Sequence, residues 1–120
     1  MVTHLVLIKP RPDLSAAERE QLIAAFERAV TEIPTVRHVQ VGHRITHGAG
    51  YEARMPDTAD YLVAIEFEDV EGLAAYLRHP AHEELGVRFT ESLAAALVYD
   101  FEDIELESLV STPRGAGQTK

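Results

Sequence analysis

The chain has 120 residues, 46% hydrophobic and 26% charged, enough for one globular domain with a real core and too few for two. It has no cysteine, which excludes disulfides and thiolate chemistry, and its net charge of −9 opposes partnership with nucleic acid or an anionic membrane. No basic segment precedes an apolar one at the N-terminus, and no apolar run approaches the ~20 residues of a membrane span, so a cytoplasmic protein without membrane contact is expected.

Val2–Lys9 is rich in β-formers, apolar at nearly every position, and stopped by Pro10 and Pro12. Ser15-Ala16-Ala17-Glu18 reads as a capping box, opening a helix whose Leu22, Phe26, Ala29 or Val30, and Ile33 form one apolar stripe before Pro34. Val36–Ile45 reads as a second strand, with Val39, Val41 and Ile45 on one side. Thr46–Asp60, with two glycines and a proline, is a long loop of the kind that often carries function or motion.

Tyr61–Phe67 is the third strand. Asp69 caps a helix from Val70 to about Leu77. His79-Pro80 breaks that helix and can start another, from about Ala81 to Leu93, because proline disfavours helical geometry before it yet suits a first helical position. Ala96–Phe101 is the fourth strand. Past about Leu109 the composition turns to Ser, Thr, Pro, Gly and Gln, so a domain over 1–103 and a tail over 104–120, largely disordered beyond about 110, are expected.

The order β-α-β-β-α-β is that of an α+β, ferredoxin-like domain with two helices on one face of a four-stranded antiparallel sheet. Both faces of that sheet are apolar. Val6 and Ile8 oppose Leu5 and Leu7; Tyr61, Val63, Ile65 and Phe67 oppose Leu62 and Ala64; Leu97, Tyr99 and Phe101 oppose Val98 and Asp100. Two helices cover one face only. At ~25 cal/mol per Å², hiding several hundred Å² of the other contributes on the order of 10 kcal/mol before association costs. A homodimer through the sheet face is therefore expected, the alternative being a cover made by the long loop and the C-terminal segment.

Among chemistry-bearing residues, His4, His79 and His82 are of the type most used as general acid or base, Tyr76 can donate a hydrogen bond to a carbonyl, and Asp100 sits in an apolar strand where a bare carboxylate is costly. Each also has a plain structural reading: a helix-break cap for His79, a bonded core residue for His4, a solvated strand end for Asp100. The pairs His43/His47 and His79/His82 do not make a zinc tetrad by spacing, so no metal is expected.

The segment Phe67-Glu68-Asp69-Val70-Glu71-Gly72-Leu73-Ala74-Ala75-Tyr76, followed by His79-Pro80-Ala81-His82, resembles the hallmark of the stress-responsive A/B barrel (Dabb) family. Thr3–Lys9 and Leu97–Phe101 are similar to its first and last strands, so the resemblance spans about residues 2 to 102. It implies a dimeric α+β barrel made of two sheets packed face to face, with a cavity between each sheet and its own helices. Most members have no assigned activity, and His-Pro-Ala-His also occurs in members with no known catalysis.

A plant polyketide cyclase of the family works without a cofactor. Its pattern implies His82 as base, Tyr76 on the substrate carbonyl, Asp100 orienting His82, and His4 as a pocket histidine. Asp100 and Val98 would then face the helices. The cyclase's strand-three histidine is replaced here by Tyr61 and its aromatic pocket lining is thinner, so polyketide specificity does not carry over.

Two functions are thus expected: binding of a small hydrophobic molecule near His4, Val6, Val39, Tyr61, Val63 and His79, or cofactor-free acid–base catalysis of the cyclase, isomerase or lyase kind by His82, Tyr76 and Asp100. A cofactor-independent monooxygenase of the related barrel families is a third reading.

Overall fold

A strand that is apolar on both faces belongs inside a sheet, and β1 (Val2–Pro10) occupies such a place in the computed structural model, which describes residues 1–111. It lies between β3 (Tyr61–Phe67) and β4 (Leu93–Glu102), and β2 (His38–His43) forms the far edge. The strand order is β2-β3-β1-β4 with every neighbour antiparallel, the ferredoxin-like α+β arrangement. The register sets Val6 opposite both Val63 and Val98, and His4 opposite both Ile65 and Asp100.

Helix α1 (Ala16–Glu32) begins with the expected capping box. Ser15 Oγ accepts from the Glu18 N–H at 3.0 Å, and Glu18 Oε1 accepts from the Ser15 N–H at 2.9 Å. Its buried stripe of Ala25 and Ala29, continued by Ile33, lies on the sheet, with Leu22, Phe26 and Val30 packed at its margins. Helix α2 (Val70–Leu77) is capped by Asp69, whose carboxylate accepts from the Gly72 N–H at 2.8 Å. Helix α3 (Pro80–Ser92) runs beside α1, and Arg28 pairs with Glu84 across the two.

Several boundaries differ from the sequence expectation. β2 is shorter than Val36–Ile45 because the chain turns after Pro34, where the Val36 N–H bonds the Ile33 carbonyl at 3.3 Å. β4 starts at Leu93, three residues early, with no linker after Ser92. That junction is held by the segment after β1: the Arg11 N–H bonds the Ser92 carbonyl at 2.9 Å, and Arg11 Nε bonds the Glu91 carbonyl at 2.7 Å. The loop 46–60 contains a helical turn, Gly50–Arg54, and Glu52 accepts from the His47 and Gly48 N–H groups at 2.8 and 2.9 Å, with Gly48 at φ +90°. After β4 a short turn, Leu106–Ser108, precedes the end of the described chain; the expectation for residues 112–120 lies outside it.

The two sheet faces divide as expected. Val2, Val6, Ile65 and Phe67 are buried beneath the helices. On the opposite face Leu97, Tyr99 and Phe101 are 37%, 50% and 52% exposed, beside half-buried Leu5, Leu7, Leu62 and Ala64.

Candidate functional site

The break between α2 and α3 creates the site. The Arg78 N–H still bonds the Ala74 carbonyl at 3.2 Å, but Pro80 restarts the chain as a new helix on a new axis. His79 caps that helix, its Nδ1 accepting from the Ala81 N–H at 3.0 Å. The break sets Tyr76, in the last turn of α2, against His82, in the first turn of α3, with ring centroids 4.8 Å apart. Tyr76 is 1% exposed and also lies 5.1 Å from the Phe67 ring and 5.8 Å from the His4 ring.

His4, Tyr76 and His82 thus converge from one strand and two helices. The carboxylate expected behind His82 is elsewhere: Asp100 Oδ1 lies 2.6 Å from His4 Nδ1. The register explains this correction. His4 and Asp100 are directly opposed on adjacent antiparallel strands and share a face, whereas His82 belongs to α3. His4 is 6% exposed, so the bond removes the cost of a buried unpaired imidazole nitrogen and fixes the ring's orientation.

Burial and the nearby His4 push the His82 pKa below the ordinary histidine value, against the opposing pull of the Leu77 carbonyl and Glu83. At neutral pH His82 is therefore a neutral imidazole, able to accept a proton. Burial pushes the Tyr76 phenol up to about 12, so it remains a donor under the same conditions. Burial is the only cause of that shift; among the described residues no neighbouring charge or hydrogen bond contributes to it.

These three rings line a cavity of about 720 Å³ between the sheet and helices α1 and α3. Its remaining walls are mainly apolar, from Val6, Ile8, Val63 and Val98 on the sheet and Phe26, Leu85 and Phe89 on the helices. A pocket with apolar walls and a few converging polar groups suits a small organic molecule. Of the residues expected to touch a ligand, His4, Val6, Tyr61 and Val63 line it.

Val39 and His79 do not line the cavity: Val39 packs against the core, and His79 is occupied as a cap. Val41, two residues along the same face of β2, lines the cavity in place of Val39. Phe26, on the apolar stripe of α1, lines the cavity, as does Phe89 of α3; nothing in a 3.6-residue stripe distinguishes a filled interior from a lined one. A second, polar cavity of about 560 Å³ lies near the loop 46–60, lined by His43, Arg44, Glu52 and Asp57 among others. Among the described residues no group of three His, Asp or Glu side chains is arranged to hold a metal ion, and no helix is long and apolar enough to cross a membrane.

Known proteins are similar to this chain in sequence or fold. The olivetolic acid cyclase of Cannabis sativa is 25% identical over 100 residues, covering 83% of this chain and 94% of the cyclase. A solved protein of Arabidopsis thaliana superposes with a TM-score of 0.73 at 24% identity, covering 88% of this chain and 98% of that one. Hydroxynitrile lyase from Passiflora edulis superposes with a TM-score of 0.72 at 17% identity, over 87% of this chain and 94% of the lyase. A protein of Thermobifida fusca, described as dimeric, ferredoxin-like and of unknown function, gives a TM-score of 0.65 at 22% identity, over 85% and 90% of the two chains. The family model described as Stress Responsive A/B Barrel Domain matches residues 2–103, and the chain belongs to that family, Dabb.

Proposed function

We propose that the protein is a homodimer that admits a small, mainly apolar carbonyl compound to this cavity and catalyses proton transfer at the carbon beside the carbonyl, without a cofactor. The observation that carries the reading is the convergence of Tyr76 and His82, rings 4.8 Å apart, on an otherwise apolar cavity of about 720 Å³. Neutral His82 removes the proton, and the C–H electron pair moves into the carbonyl as an enolate. The Tyr76 hydroxyl donates to the enolate oxygen. Imidazolium at His82 then returns the proton to carbon, or the enolate carbon attacks a second carbonyl in the same molecule and the imidazolium protonates the resulting alkoxide. Asp100 is a positioning residue, acting through His4.

Relatives named as a cyclase and a hydroxynitrile lyase support placing such chemistry on this fold, the neighbour described as dimeric supports pairing, and the exposed apolar sheet face is the surface we assign to it. A second reading, binding without turnover, is favoured by the engagement of Asp100 with His4, which leaves His82 without a carboxylate behind it.

The test uses 2-decanone in D₂O, with loss of the protons beside the carbonyl followed by NMR. Catalysed exchange that disappears in His82→Asn and falls in Tyr76→Phe supports the enzyme. Saturable binding with exchange no faster than buffer supports the second reading, and absence of binding overturns both.

A further inference from the structure

Resting on the reading of this cavity as a ligand site, we infer that its ligand is an anionic amphiphile: a medium-length apolar chain whose carboxylate or phosphate is held by Arg19. The cavity has two chemically distinct ends. His4, Tyr76 and His82 occupy one; Ile8, Pro10, Arg11, Leu14 and Arg19 occupy the other. His4 and Ile8 are four residues apart on one face of β1, a span of about 13 Å at ~3.3 Å per residue. That length accommodates an extended acyl chain of about ten carbons lying along the strand.

The walls between the two ends suit such a chain. Ile23, Val41 and Tyr61 line the cavity and are 54%, 61% and 43% exposed, apolar surface that a hydrocarbon would cover. The arginines at the outer end differ in their engagement. Arg11 is occupied: it bonds Asp13 at 2.8 Å, Glu18 at 3.0 Å and the Glu91 carbonyl at 2.7 Å.

Arg19 makes no ion pair and no side-chain hydrogen bond among the described residues. Its helical neighbours one turn away are Ser15, Ala16, Leu22 and Ile23, none of them acidic. In a chain of net charge −9, a guanidinium without an acidic partner at the rim of an apolar cavity selects an anion there. Its planar fork matches the oxygens of a carboxylate or phosphate.

Isothermal titration calorimetry of the full chain with decanoate, decyl phosphate and 1-decanol, each below its micellar concentration, tests the inference. An anion bound about tenfold more tightly than decanol is expected, the scale of one charged hydrogen-bonded contact. Arg19→Gln should erase that margin and leave decanol affinity unchanged; Arg37→Gln, away from the cavity, should leave the margin intact. The tighter of the two anions identifies the headgroup. Equal affinity for all three probes, equal weakening of all three by Arg19→Gln, or equal effects of Arg37→Gln and Arg19→Gln would overturn the anion site while sparing the cavity as a ligand site. Absence of binding by any probe would remove the ligand-site reading beneath it.

Discussion

Replacing Tyr99 by Asp separates the roles of the two sheet faces. Tyr99 stands on the outer face of β4 beside Leu5 and between Leu97 and Phe101, near the middle of the apolar surface proposed for dimerisation. It is 50% exposed, so about 100 Å² of an aromatic side chain's roughly 200 Å² is available for a partner to cover. A twofold interface counts each substitution twice, giving about 200 Å², or ~5 kcal/mol at ~25 cal/mol per Å². That corresponds to a dimer dissociation constant raised by three to four orders of magnitude, roughly, before the added cost of two facing carboxylates. Sedimentation equilibrium across a wide concentration range reads the constant, and circular dichroism verifies the fold. Val87→Asp, at an exposed position of α3, is the control and should leave the constant unchanged. A Tyr99→Asp dimer within threefold or so of wild-type strength, or a wild-type chain that is monomeric at micromolar concentration, would refute the reasoning.

Other substitutions probe the inner face and its frame. Tyr76→Phe should cost about 1 kcal/mol in urea unfolding, the scale of one neutral hydrogen bond, while slowing ketone exchange about a hundredfold. In NMR titrations His4→Asn should raise the His82 pKa, because the His4 ring is one of the causes holding it down. With its folded value below the unfolded ~6.5, His82 contributes stability that is complete above about pH 6.5 and lost as pH falls through the folded value. His82→Asn should therefore lose less stability than wild type between pH 7 and 5, as measured by urea midpoints. Ser15→Ala should cost about 1 kcal/mol by removing one arm of the α1 capping box, read as a lower melting temperature.

Local chemistry was the legible part of the fold. The Ser15–Glu18 box, the Asp69 cap and the His79-Pro80 break each depend on a few adjacent residues, and each stands where its side chains dictate. The family resemblance supplied the phase of β4, and the pairing of Val98 with Val6 agrees with it. What adjacent residues do not encode is register between strands distant along the chain. His4 and Asp100 lie 96 positions apart and no hairpin joins their strands, so nothing local identified them as partners. Exchanging Val39 for Val41 as cavity lining has the same origin: both share one face, and only the helices above decide which is covered by core.

The missing linker between α3 and β4 has a mechanical consequence. Ser92 is buried, its carbonyl is bonded by the Arg11 N–H, and Leu93 is already strand. The helix carrying His82 and the strand carrying Asp100 are therefore welded at one corner and cannot swing apart there. The other end of α3 is tied as well: the Arg78 and His79 N–H groups bond the Ala74 and Tyr76 carbonyls, and His79 caps the helix through the Ala81 N–H. Both ends of α3 being anchored, the 4.8 Å spacing of the Tyr76 and His82 rings is built into the frame.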